Sequence, residues 1–189
     1  MRTLVISLVV AMAAVAAPAS AAPADTDSPP AAERAQATCH RTLPTYPAIE
    51  PGTTSEVVRT LQCVLNDAGW GPITVDGFYG PGTKRAVRTF TDGFECCIAS
   101  PLRVRTWYWT ILFSQSRRLR GLELGDSGIR VKTLQRALRA DGETLVVDGD
   151  FGTQTRARVK VFQGKCGLTR SGRVNGKTAF FLGQGGCNG

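Results

Sequence analysis

Val75-Asp76-Gly77-Phe78-Tyr79-Gly80, followed by Thr83 and Phe90, returns further along the chain as Val147-Asp148-Gly149-Asp150-Phe151-Gly152, followed by Thr155 and Phe162. Asp76 and Asp148, Thr83 and Thr155, Phe90 and Phe162 are each 72 residues apart. Upstream, Val58-x-x-Leu61-Gln62-x-x-Leu65 recurs as Val131-x-x-Leu134-Gln135-x-x-Leu138, at an offset of 73 residues. An ordered internal repeat decides the architecture: one small unit built twice. Two small cores are expected, and two chances to present the same surface to a ligand.

Each copy opens with a helix. In the first, Thr53-Thr54-Ser55-Glu56 reads as a capping box with Thr53 as N-cap and Glu56 at N3. Val57, Val58, Leu61, Val64, Leu65 and Ala68 then keep helical spacing, and Gly69 ends the run. In the second, Gly125-Asp126-Ser127-Gly128 starts the helix, Val131, Leu134, Ala137 and Leu138 form its stripe, and Asp141-Gly142 closes it. The Val-Asp-Gly-x-aromatic-Gly segment follows as an irregular loop, whose glycines reach backbone angles closed to other residues. A second helix begins at once, with Pro81 suited to its first turn. Thr83, Ala86, Val87 and Phe90 share one face, matched by Thr155, Val159 and Phe162. A short third helix is expected near 105–113 and again near 177–182. With no convincing strand pattern, the fold class is all-α: two tandem three-helix modules.

Working outward, residues 1–21 read as a secretory signal peptide. Arg2 gives the positive start, Leu4 to Ala17 the apolar stretch and Ala19-Ser20-Ala21 the cleavage site. Residues 22–38, rich in Ala, Pro, Asp and Ser, read as a flexible leader. The first module is assigned to 39–113, a basic linker to 114–118 and the second module to 119–187. No later segment is long and apolar enough to span a bilayer. The expected location is therefore extracellular or wall-associated, not membrane-embedded.

Export makes disulfides the expected state of Cys39, Cys63, Cys96, Cys97, Cys166 and Cys187. A metal site is disfavoured, because no C-x-x-C pair exists and His40 is the only histidine. Cys96 and Cys97 are adjacent, so a bond between them would be strained and each should have its own partner. Cys166 and Cys187 are expected to pair within the second copy. Cys63 would then meet Cys96 or Cys97 and leave the other for Cys39; the candidate set is Cys63–Cys96 and Cys39–Cys97. Size supplies the reason, since a unit of about 65 residues buries only about 60% of its unfolded surface. A bridge worth ~2–4 kcal/mol is a large share of such stability.

The full chain carries a net charge of +8, which suits an anionic surface: a wall polymer, acidic lipids or stray nucleic acid. Arg117, Arg118 and Arg120 cluster between the copies and read as a solvated connector.

The repeat resembles the three-helix peptidoglycan-binding domain of bacterial wall hydrolases. The second copy carries Leu122-x-x-Gly125-Asp126-Ser127-Gly128, Val131-x-x-Leu134-Gln135, the Val147–Gly152 motif with Thr155, Val159-x-x-Phe162-Gln163 and Gly172-x-Val174-Asn175. The first copy departs from the pattern with Gly52-Thr53-Thr54-Ser55 and with Phe90-Thr91 in place of Phe-Gln; Thr106-Trp107 answers to the closing Thr-Trp. The resemblance implies wall binding by a shallow groove at the Asp-Gly loop and the start of the second helix. Carried onto this chain, the candidate ligand residues are Asp76, Gly77, Tyr79, Gly80 and Thr83, with Asp148, Gly149, Phe151, Gly152 and Thr155. Trp70, between two glycines, is the candidate exposed aromatic, weighed against a lid on the core.

The expected function is a secreted, non-catalytic protein that binds peptidoglycan or another anionic wall polymer, without cofactor or metal. A docking or inhibitory partner of a secreted wall hydrolase is the alternative, and a hydrolase a weaker one. Asp76 and Asp148 invite a two-carboxylate reading, but each sits in the same turn signature and is expected to shape its loop. There is no Gly-x-Ser-x-Gly elbow and no metal-ligand cluster. Nucleic acid is disfavoured as a partner, because no motif interleaves aromatic and basic residues.

Overall fold

The computed structural model describes residues 39–93 and 101–187. The expected signal peptide, the leader, and Cys96 and Cys97 lie outside the described residues. Among those described, six helices and no β-strand make the protein all-α: α1 (Glu56–Asp67), α2 (Pro81–Asp92), α3 (Thr106–Ser116), α4 (Ile129–Ala140), α5 (Thr153–Lys165) and α6 (Gly176–Gly183). The order is the expected three helices, twice.

The two copies lay down the same short backbone pairings. Tyr79 N–H donates to the Thr53 carbonyl (2.8 Å) and Ser55 N–H to that of Gly77 (3.0 Å). In the second copy Phe151 N–H donates to Asp126 (2.8 Å) and Gly128 N–H to Gly149 (2.8 Å). These pairings correct the expected cap of α1. Thr53 is held extended against the Asp-Gly loop, and its hydroxyl donates to the Glu50 carbonyl (2.8 Å). The N-cap is Ser55, whose Oγ accepts from Val58 N–H (3.2 Å). Glu56 pairs with Arg59 at 3.3 Å instead of closing a box.

The expected pair of small cores is one core. A single cluster of buried side chains runs from Tyr46 and Ile49 through Leu61, Phe90 and Trp109 to Leu134, Phe162 and Leu182. Its centre is α3, in which six consecutive residues, Tyr108 to Phe113, are buried. A helix apolar on all sides has to be surrounded. It is: α3 packs on α1 of its own copy, and more extensively on α4 and α6 of the other. Trp109 is fully buried, its ring 5.3 Å from Tyr46 and its indole N–H donating to the Pro47 carbonyl (2.9 Å).

The segment 39–49 also straps the copies together. Thr60 Oγ donates to the His40 carbonyl (2.6 Å), and Arg41 forms a two-point ion pair with Asp67. From the second copy, Arg136 donates to Thr42 Oγ1 (2.8 Å) and Arg139 to the Leu43 carbonyl (3.0 Å). Docking the strap on α1 brings the Cα atoms of Cys39 and Cys63 to 6.0 Å, and these two cysteines are bonded. That overturns the candidates Cys63–Cys96 and Cys39–Cys97, since Cys39 and Cys63 are each other's partner. Cys166–Cys187 forms as expected, with a Cα separation of 5.0 Å.

Candidate functional site

Each Asp-Gly turn is built around a buried glutamine from the preceding helix. Gln62 Nε2 donates to Asp76 Oδ1 (2.6 Å), the Phe78 carbonyl (3.0 Å) and Thr83 Oγ1 (3.0 Å); its Oε1 accepts from Gly77 N–H (2.8 Å). Gln135 repeats this with Asp148 (2.7 Å), Asp150 (3.1 Å), Thr155 (3.0 Å) and Gly149 (2.9 Å). Gly77 and Gly149 have φ of 80° and 93°, in the left-handed region that glycine tolerates. The side chains of Arg59 and Lys132, one turn before each glutamine, lie against these glycines: a Cβ would come within 3.3 Å of Arg59 at Gly77 and within 2.8 Å of Lys132 at Gly149.

The expected site residues therefore separate by role. Asp76 and Asp148 are exposed, but one oxygen of each is committed to the turn. The bond from Gln62, then the Phe78 N–H, holds the Asp76 carboxyl below its ordinary pKa. For Asp148 the Asp150 N–H leads and Gln135 follows, in the same direction. Thr83 and Thr155 are buried bracket members. Tyr79 and Phe151 are buried core locks. The Tyr79 hydroxyl bonds the Leu102 carbonyl, and burial pushes its phenol pKa up. Trp70 is half-buried, edge-on to Phe90 at 5.6 Å, with its N–H on Gln115 Oε1 (2.9 Å). It is the lid on the core.

At the first turn the exposed aromatic is Phe78, 44% accessible; away from the turns, Phe180 on α6 is 61% accessible. Phe78 occupies the variable position between Gly77 and Tyr79, outside the expected site residues. The signal was present: in a short extended stretch neighbouring side chains alternate, so an inward Tyr79 turns Phe78 outward. Its ring lies over Gly80, where a Cβ would come within 2.7 Å. Phe78 lines a groove of about 340 Å³ with Asp76, Ile73, Pro81, Thr83 and Arg85. Gly80 caps α2 without a side-chain bond, so the positive end of that helix opens beside the groove. In the second copy Asp150 stands in place of Phe78, and Gly152 has no side chain over it.

The second copy contains the bracket again, one helix later. Gln163 Nε2 donates to Ser171 Oγ (3.1 Å), the Arg173 carbonyl (2.8 Å) and Thr178 Oγ1 (3.0 Å), while Gly172 N–H donates to its Oε1 (2.9 Å). Ser171 replaces the aspartate and Gly172 has φ of 74°. The first copy has Thr91 there, whose hydroxyl turns back to the Arg88 carbonyl (2.9 Å), and no glutamine bracket forms there among the described residues.

Elsewhere Glu143 is buried and compensated by Lys165 (2.5 Å) and Arg158 (3.6 Å). Asp141 lies 3.7 Å from the same Lys165, and burial raises its carboxyl pKa to about 6. Among the described residues no three His, Cys, Asp or Glu side chains are grouped to hold a metal ion. No described helix is long and apolar enough to cross a membrane.

Fold and turn together define a duplicated, cystine-braced helical binding module. Residues 54–90 and 127–182 both match the family described as "Putative peptidoglycan binding domain", and each copy belongs to that family. No curated protein and no solved structure matches the chain. Membership supports binding of a wall polymer, and neither match covers a catalytic domain.

Proposed function

We propose that the protein is a secreted, non-catalytic peptidoglycan-binding protein, exported by the signal at 1–21 and carrying its modules at 39–113 and 119–187 around the joint 114–118. The observation that carries this reading is the groove beside Phe78. An exposed ring offers the apolar face of a sugar a flat surface. The open start of α2 offers backbone N–H groups to a stem-peptide carboxylate. The brackets hold both features in place, so binding orders little of the protein. The equivalent surface of the second copy, with Asp148, Gly149 and Gly152 but no aromatic, is the weaker partner.

Retention on purified, protein-free sacculi tests this. The intact protein should be depleted from the supernatant. Phe78→Ala should weaken retention several-fold with an unchanged melting temperature, and no soluble muropeptide should be released. Equal supernatant protein with and without sacculi defeats the proposal.

A further inference from the structure

The joint between the copies forms a second, chemically different surface. Arg117, Arg118, Arg120 and Arg130 line an open cleft of about 890 Å³ over Leu119 and Ala179. All four arginines are exposed, and none is ion-paired among the described residues. No carboxylate lines the cleft. Arg130 is fixed by donating to the carbonyls of Arg118 (2.8 Å) and Arg120 (3.0 Å), which leaves its other N–H groups without a protein partner. The surrounding field has the same sign. Residues 119–187 hold twelve Lys and Arg against six Asp and Glu, and 39–113 hold seven against six.

Four uncompensated guanidinium groups along one cleft exceed what a single carboxylate needs. Their planar forks match phosphate oxygens. The floor is aliphatic and the lining contains no aromatic side chain, so there is nothing for a nucleobase to stack on. The CH groups of a polyol would fit that floor. The geometry points to a binding site for a phosphodiester-linked polyol or sugar chain, with phosphates on the arginines and carbon backbone on Leu119 and Ala179. The site is independent of the Asp-Gly turns and of the peptidoglycan reading.

Calorimetric titration of the full, oxidised chain with poly(glycerol phosphate) at low salt tests it. Arg118→Gln with Arg120→Gln should weaken binding by about tenfold or more and flatten the slope of log K against log salt by about two. Arg88→Gln with Arg170→Gln removes the same charge from exposed, unpaired positions elsewhere and should cost less than about threefold. Equal losses in both variants, absent binding by the parent chain, or tighter binding of single-stranded DNA would overturn the assignment. Retention on sacculi stripped of phosphodiester polymer separates the two readings: the cleft variant should bind these as the parent does, and reduced retention would overturn the cleft's independence.

Discussion

The two copies share a turn and differ in their third helix. Through α1 and α2, as through α4 and α5, glutamine, glycine and threonine occupy the same relative places with nearly the same distances. Beyond that point the second copy closes on itself, with Gln163 bracketing the approach to α6. The first copy has Thr91 there, and its third helix is packed mainly by the neighbour. The family match follows the same line, ending at residue 90 in the first copy and running to 182 in the second. The local bracket is what the two copies share; the third helix of the first is covered mainly by the other copy.

The largest expected effect tests that covering contact. Trp109→Ala should cost about 3–5 kcal/mol, and denaturant unfolding should remain one transition because the core is continuous. Two transitions, with only the first displaced, would break the comparison. Next come the cystines. Cys39→Ser with Cys63→Ser, or Cys166→Ser with Cys187→Ser, should each cost ~2–4 kcal/mol. Peptide mapping of the unreduced protein should recover both linked pairs. The brackets follow: Gln62→Ala and Gln135→Ala should each lose about 1–3 kcal/mol by leaving a buried glycine N–H without an acceptor. Gln163→Thr, which imposes the first copy's residue on the second, should lose less than Gln135→Ala in the same denaturant assay.

The smallest effect is in pH dependence. The Asp76 and Asp148 carboxyls are held below their ordinary values, so their stabilisation is present above about pH 4 and lost as pH falls further. Asp141 acts in the opposite sense. With its carboxyl raised to about 6, its cost is absent below about pH 4 and complete above about pH 6. Ala68 is the matching residue of the first copy, so this effect belongs to the second alone. Asp141→Asn should remove the decline in melting temperature between about pH 4 and 6. Asp76→Asn and Asp148→Asn should flatten the drop below about pH 4. All three profiles are read by thermal scans across the acid range.

The helices, their order and the duplicated turn were legible because period and spacing are local properties. Gly69, Gly142 and Pro81 stood where their backbone preferences place them. The cap of α1 was misread because Thr53, Thr54 and Ser55 can all cap a helix, and only the distant Gly77 carbonyl selects Ser55. The Cys39 pairing was missed for the same reason: the strap reaches α1 through His40 and Arg41, contacts that no spacing encodes. Gln62 and Gln135 were visible as motif letters, yet their role as hubs appears only when three elements meet. Phe78 holds the variable letter of the motif, and only the inward turn of Tyr79 makes it the exposed ring.

A chain cut at the joint would strip α4 and α6 from a helix with six successive residues in the interior, and open the apolar surface that those two helices cover. Duplication here has passed a point of no return. The halves can diverge in charge, as these have, but each leans on the other for its interior.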